Sequence, residues 1–365
     1  MKHPNKTILT LDAGGTNLVF KAIRDAKDAS DEFSLAAQSD SLEELLQKII
    51  SGFREVQKQS GESAAAISFS FPGPADYEKG IIGNLENLPW FRGGVALKKM
   101  LENEFNIPVF INNDGDLFAL GEAMHGLLPE TNKKLKEAGI NKQYKNLLGL
   151  TLGTGFGGGI VSNGQLWTGD NSSGAEINRM SNFLNRDSSV EEVLSIRGVK
   201  QLFSQKANCA FENTPEPFDI FRIGLGEKRG NKEAAIETWE SFAIVLADAI
   251  GNASTLLDGL VVIGGGLSGA HPLFLQKVVT ELNRNFTKAG GGKVARMEVS
   301  AHNLESPKGL DGFLEQSEAQ ITVPFSNETT SYFPDKKIGV GISRLGTSQA
   351  VALGAYAFAL SLINC

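Results

Sequence analysis

The chain has 365 residues, 41% of them hydrophobic and 21% charged, with a net charge of -7. That length exceeds one ordinary core and suits two domains, and the acidic balance argues against a nucleic-acid partner. Two cysteines, Cys209 and Cys365, are too few for a disulfide framework or a cysteine-ligated zinc and fit a reducing cytoplasm. The polar residues 1–7 carry no signal-peptide pattern, and no apolar run reaches the ~20 residues that cross a bilayer.

The chain opens with Leu9-Thr10-Leu11-Asp12-Ala13-Gly14-Gly15-Thr16, an apolar strand entering a glycine turn, and a second strand over 17–23 leaves it. Ser41-Leu42-Glu43-Glu44 reads as a capping box that opens a helix with Leu42, Leu45, Leu46, Ile49 and Phe53 on one face. Residues 65–71 form a strand stopped by Pro72-Gly73-Pro74. A helix over 95–105 and a strand over 109–111 follow, and after Asn112-Asn113-Asp114 comes a helix carrying Leu117, Leu120 and Met124. Strands alternating with helices predict a mainly parallel, helix-covered sheet. The lysine-rich stretch 132–145 reads as a solvated excursion.

The pattern restarts at Leu147. Leu150-Thr151-Leu152-Gly153-Thr154-Gly155-Phe156-Gly157-Gly158-Gly159 is again Leu-Thr-Leu running into glycine. Glycine lets backbone take φ > 0 and come close to a ligand, and successive free N–H groups make a concave anion site suited to phosphate. Two such hairpins, one near the start of each half, suggest a duplicated architecture closing on one nucleotide. Residues 231–257 are a long helix with Ala235, Trp239, Phe242, Leu246 and Ile250 at helical spacing, an apolar surface that offers a homodimer contact. Then come a buried strand at 260–263, the turn Gly264-Gly265-Gly266, a helix over 272–286, an insertion over 288–343 and a closing apolar helix over 349–362.

These residues resemble the ROK family of sugar kinases and related repressors, within the larger sugar kinase, actin and heat-shock ATPase fold. Asp12-Ala13-Gly14-Gly15-Thr16 is similar to the family's first phosphate motif, and Ser70-Phe71-Pro72-Gly73-Pro74 to its sugar-side turn. Asn87-Leu88-Pro89-Trp90 and Asn113-Asp114 match the next two, residues 153–164 the signature stretch, and Gly264-Gly265-Gly266 the adenosine-side turn. The resemblance implies an α/β fold of two actin-like (ribonuclease H-like) lobes with a nucleotide cleft between them. Residues 1–117 and 347–365 would form one lobe and 118–346 the other. Two departures stand out. Glu176-Ile177-Asn178-Arg179 puts arginine where the family keeps a sugar-binding, zinc-ligating histidine, and 182–190 has no cysteine, so no zinc site is expected.

Phosphoryl transfer to a sugar hydroxyl needs positioning, charge neutralisation and a base. Asp114 is the expected base, with N-cap the competing use. Asp116 nearby suits the helix dipole. Asp12 is expected to hold Mg²⁺ through water against the phosphates of ATP, with a self-bonded turn aspartate as its plainer use. Gly14, Gly15 and Thr16, then Gly153, Thr154 and Gly155, would give donors to the phosphates, and Gly264, Gly265 and Gly266 would line the nucleotide crevice. Tight turns alone would also account for all of these glycines. The resemblance implies Gly73, Asn87, Asn113, Glu176, Arg179 and Glu191 as sugar-side residues. Arg179 has three uses open to it: bonding a hydroxyl, pairing with Glu176 or Glu191, or facing solvent.

The expected activity is ATP-dependent phosphorylation of a hexose or related amino sugar in the cytoplasm, with no nucleic-acid or membrane partner. The rival is a non-catalytic sugar sensor of the same family. A repressor would need a helix-turn-helix, and only a handful of residues precede Ile8. A dinucleotide-dependent oxidoreductase is more distant, because its glycine fingerprint leads into a helix and not a strand.

Overall fold

The computed structural model describes residues 6–13, 17–73, 75–83 and 89–363. They fall into two compact units, Met1–Gly126 with Gly159–Ala175 and Arg344–Cys365, and Leu127–Gly158 with Glu176–Ser343.

The first unit is built on a mixed sheet. The strand Ile8–Ala13 pairs antiparallel with Asn17–Arg24 on one side and parallel with Ala66–Ser70 on the other, and Ala66–Ser70 continues in parallel to Val109–Asn112. All five residues of Ala66–Ser70 are buried, as a central parallel strand covered on both faces requires. The helix Leu42–Ser60 covers one face and sends Leu45, Ile49, Phe53 and Val56 inward. There Phe53 meets Phe20 edge-on at 5.2 Å and Phe69 at 5.7 Å. Its predicted cap forms: Ser41 Oγ accepts the N–H of Glu44, while the Glu44 carboxylate reaches back to the N–H of Asp40. The closing helix Thr347–Leu362 covers the other face with Leu353, Tyr356 and Leu360.

That closing helix also packs on Asp114–His125 at close range, and two glycines allow it. A Cβ on Gly121 would overlap the carbonyl of Ala350, and one on Gly354 would overlap that of Leu117. The two helices therefore share one unit, whose first segment runs to Gly126, past the expected residue 117.

In the second unit the strands Leu147–Leu152, Leu260–Gly264, Lys337–Ile342 and Ser300–Asn303 lie side by side in parallel. Expectation and structure part at three places. The stretch 288–343, read as an insertion, supplies two of those four strands, because Ile338 and Val340 are fully buried in the sheet and Ala301 nearly so. The helix expected over 272–286 ends at Leu282, where the side chain of Asn283 bonds both backbone groups of Ala301 and turns the chain outward. The lysine-rich stretch contains most of the helix Leu127–Glu137, with Thr131 and Leu135 buried, and Tyr144 stacks on Phe313. The long helix Lys232–Leu257 spends its apolar face at home: Trp239, Phe242, Leu246 and Ile250 are buried, and Phe274 packs against the first two.

Candidate functional site

In the first unit three parallel strands end in one polar row. Asp12 is in register with Ser70, and Ser70 with Asn112. Ser70 and Asn112 are buried, and the Asn112 side chain accepts the N–H of Asn113 at 2.8 Å. Asn113 is the N-cap of the next helix, its side chain accepting the N–H of Gly115 at 2.7 Å. The capping role that competed for Asp114 thus belongs to its neighbour, and Asp114 is the first helical residue. One of its oxygens, Oδ1, accepts the same N–H at 2.9 Å. Asp116 is buried in the same first turn.

The electrostatics of the two aspartates are linked. Crowding by protein raises the Asp114 carboxyl above its ordinary value, against the pull of the Gly115 N–H. The residue still has an exposed surface, and that contact with water limits the rise without reversing it. Burial is also the main cause that lifts Asp12; a hydrogen bond from Ser348 opposes it, and the negative charges of Asp114 and Glu32 add to it. A carboxylate held beside another carboxylate fits a hydrated divalent cation, since Mg²⁺ takes one or two protein carboxylates and keeps several waters. No cluster of three metal-ligating side chains occurs among the described residues.

Gly159 sets how the signature stretch meets this turn. It belongs to the first unit, and a Cβ there would lie 2.8 Å from Asp116 Cα and 2.8 Å from Ala119 Cβ, and would overlap the Gly115 carbonyl. Gly73 is exposed, in a turn held by Tyr77, whose hydroxyl donates to the Phe71 carbonyl at 3.0 Å. Gly14, Gly15, Thr16 and Asn87 lie outside the described residues. The closing helix starts at Thr347, two residues before the expected Gln349, and so takes in Ser348. The step Gly346-Thr347-Ser348 is a helix-entry signal, with Gly346 in the left-handed region at φ 76°.

In the second unit the Gly153-Thr154-Gly155 turn is tied from three sides. The Gly153 N–H donates to the Gly155 carbonyl at 2.9 Å, the Gly153 carbonyl accepts from Ile196 at 2.8 Å, and the Phe156 N–H donates to Glu191 Oε2 at 2.9 Å. The expected positive φ is absent from residues 153–159. These glycines provide room instead: a Cβ on Gly155 would come within 2.8 Å of the Glu191 carboxylate, whereas one on Gly153 would meet nothing. In the later turn Gly264 ends its strand opposite Thr151. Gly265 adopts φ 86° with its Cα pressed on the Leu152 backbone, and Gly266 faces open space.

Glu176 precedes and Arg179 ends the short helical turn Ile177–Arg179, which packs beside Val190–Glu192 and so gathers both with Glu191. Arg179 is exposed and, among the described residues, pairs with neither glutamate. Between the two turns runs a small hairpin, Ser181–Asn182 with Asn185–Ser189, closed by the Asn182 side chain on Ser188 and on the Leu184 N–H.

The model of the ROK family matches residues 8–314. The chain belongs to the ROK family. A solved structure of glucokinase from Parabacteroides distasonis is 46% identical, with 99% of each chain covered and a TM-score of 0.89. An N-acetyl-D-glucosamine kinase of Photobacterium profundum is 28% identical over 282 residues, 72% of this chain and 85% of that protein. A ROK family glucokinase from Streptomyces griseus, solved with glucose and AMPPNP, shares the fold at 17% identity, with a TM-score of 0.60 over 96% of this chain and 98% of that one. The fold is accordingly the α/β, two-lobed actin-like fold of the ROK sugar kinases. No helix among the described residues is long and apolar enough to cross a membrane.

Proposed function

We propose that this ROK-family, ATP-dependent sugar kinase phosphorylates a hexose or a related amino sugar, with Asp114 as general base on the acceptor hydroxyl. The observation that carries the reading is the polar row Asp12, Ser70, Asn112, which leads directly into Asp114 at a helix start. Asp114 takes the hydroxyl proton as the sugar oxygen attacks the γ-phosphorus, and the bond to the β-phosphate oxygen breaks to release ADP. A carboxyl lifted by its surroundings is a stronger base than an ordinary one, and such help is typically worth ~10²–10⁴-fold. Asp12 would hold Mg²⁺ through water, and the ion would neutralise charge on the β- and γ-phosphates.

The remaining roles follow the same reading. Gly153, Thr154 and Gly155, with Gly264, Gly265 and Gly266, would face the nucleotide, and Gly14, Gly15 and Thr16 its phosphates. The bare approach at Gly153 and Gly266 supports this, since neither position needs glycine for packing against its own unit. Gly73, Asn87, Asn113, Glu176, Arg179 and Glu191 would contact the sugar. The Parabacteroides relative is a glucokinase and the Photobacterium relative an N-acetyl-D-glucosamine kinase, which supports hexose and amino-sugar acceptors alike. The test is ADP release with ATP and Mg²⁺ over glucose, mannose, fructose, N-acetylglucosamine and N-acetylmannosamine. Turnover on at least one, lost in Asp114→Asn, is the expected outcome. Sugar binding without turnover on any of them would return the chain to the sensor reading.

A further inference from the structure

The strap that joins the short turn Val190–Glu192 to the helix Ile196–Ala207 meets the glycine turn on one side and the Glu176–Arg179 turn on the other, all within the second unit. Its apolar residues hold it down: Val190, Leu194 and Val199 are buried completely or nearly so. The N–H groups of Val193 and Leu194 both return to the Val190 carbonyl, at 3.0 and 2.9 Å. Ser195 caps the helix, its hydroxyl accepting the Gly198 N–H at 3.2 Å. A Cβ on Gly198 would overlap the carbonyls of Glu192 and Val193, so the bare position lets the strap lie against the helix start. Glu191 therefore extends from a backbone that is fixed after it as well as before it.

Toward the glycine turn the strap makes two bonds. Ile196 is the first helical residue, so its N–H has no acceptor within the helix; it donates to the Gly153 carbonyl at 2.8 Å. Phe156 is buried, where an N–H left alone is costly; it donates to Glu191 Oε2 at 2.9 Å. Toward the sugar-side turn, the Val190 N–H donates at 2.9 Å to the carbonyl of Met180, the residue after Arg179. A carboxylate can accept at both of its oxygens. Glu191 Oε1 makes no hydrogen bond among the described residues, and the side chain is not fully covered. One oxygen is thus committed to the glycine turn while the other is open, in a residue packed near Glu176 and Arg179.

We propose that Glu191 is shared by the two ligands: Oε2 holds the nucleotide turn through Phe156 while Oε1 accepts a sugar hydroxyl. This rests on the kinase reading above and adds a physical link between its two sites. The carboxylate is planar, so one side-chain orientation must serve both bonds. A sugar on Oε1 steadies the orientation that the turn needs, and a nucleotide on the turn steadies the one that the sugar needs. The rotamer freedom of the side chain is lost once for two ligands, so each tightens the binding of the other, and by linkage the two effects are equal. Toward ATP, Glu191 is a positioning residue that acts through the Phe156 backbone.

Calorimetry on the full-length protein tests this, with AMPPNP and Mg²⁺ as one ligand and glucose, or whichever panel sugar is turned over fastest, as the other. In the wild type each ligand should lower the Kd of the other by the same factor, about fivefold or more. The deciding effects are crossed. Glu191→Ala, measured without sugar, should raise the Kd for AMPPNP about tenfold, because the turn loses its acceptor. Glu191→Gln keeps a carbonyl oxygen for Phe156 and offers the sugar an amide N–H instead of an acceptor. It should bind AMPPNP as the wild type does without sugar, yet lose sugar affinity and the mutual effect. Gly155→Ala, measured without nucleotide, should raise the sugar Kd about tenfold, because its Cβ would stand 2.8 Å from Glu191 Oε2 and displace the carboxylate. Melting temperature is the fold control; if Glu191→Ala does not fold, the other two variants decide alone. Independent affinities in the wild type, an AMPPNP Kd untouched by Glu191→Ala, or a sugar Kd untouched by Gly155→Ala would overturn the shared carboxylate and spare the kinase. A protein that turns over no sugar of the panel would overturn the kinase reading and this proposal with it.

Discussion

Two glycines six residues apart should answer an added methyl in opposite ways. In Gly159→Ala the new Cβ would stand 2.8 Å from Asp116 Cα and from Ala119 Cβ. Carbon atoms rest at about 3.5–4.0 Å, so the first turn of the helix that bears Asp114 must give by roughly 0.7–1.2 Å. Overpacking of that kind typically costs about 1–3 kcal/mol, and a misplacement of about 1 Å at a reacting group can cost ~10²-fold in rate. In Gly153→Ala the Cβ meets nothing, and the backbone there is not left-handed. The protein should fold as before, while a methyl in the nucleotide's approach raises KM for ATP about tenfold, the equivalent of ~1.4 kcal/mol. Coupled ADP-release kinetics and thermal unfolding on both variants separate the effects. The Gly159 variant should lose kcat and melting temperature, and the Gly153 variant should lose only affinity for ATP. A Gly159→Ala protein with wild-type kcat and melting temperature would refute the packing argument, and a Gly153→Ala protein with unchanged KM would remove that turn from nucleotide binding.

Other outcomes follow from the same geometry. Asp114→Asn should lower kcat by ~10²–10⁴-fold while calorimetry still finds sugar binding; loss of both together would make Asp114 a structural residue. Because burial raises the Asp114 carboxyl, activity should fall as pH drops through that raised value and level off above it; a rate independent of pH down to the ordinary carboxyl value of 3.8 would contradict a basic role. A raised carboxylate destabilises the fold when ionised, so Asp12→Asn should raise the melting temperature at neutral pH and abolish turnover. That gain should vanish below the ordinary value of 3.8, where both states bind the proton, and an equal gain at all pH would point to packing instead. Glu191→Ala leaves the Phe156 N–H without its acceptor and should cost about 1–3 kcal/mol; Glu191→Gln keeps an acceptor oxygen and should melt within a degree or two of wild type, which differential scanning calorimetry can decide.

Much of the architecture was legible because it is local. The box at Ser41 and Glu44, the fully buried run at 66–70 and the helical spacing of Trp239, Phe242 and Leu246 each follow from periodicity within a dozen residues. The step from strand to helix at Asn113-Asp114 was likewise readable, since the hydrophobic run before it announces the strand's end. What failed was non-local. Strands at 300–303 and 337–342 looked like patches in an insertion because parallel pairing joins residues far apart in sequence and leaves no turn between them. The capping bond that settled on Asn113 instead of Asp114 is a matter of side-chain direction, which spacing does not encode. Ser348 reaches Asp12 across more than three hundred residues.

The residues alone determined the family and the order of its motifs, because motif chemistry depends on residue type and short spacing. Only the tertiary structure decided which glycines carry packing and which stay bare, since that depends on what approaches each Cα from elsewhere in the chain. Gly159 meets a helix turn more than forty residues earlier in sequence and Gly265 a strand more than a hundred away, while Gly153 and Gly266 meet nothing within their own unit. Four identical letters thus serve two purposes, and the partner that separates them is supplied by folding.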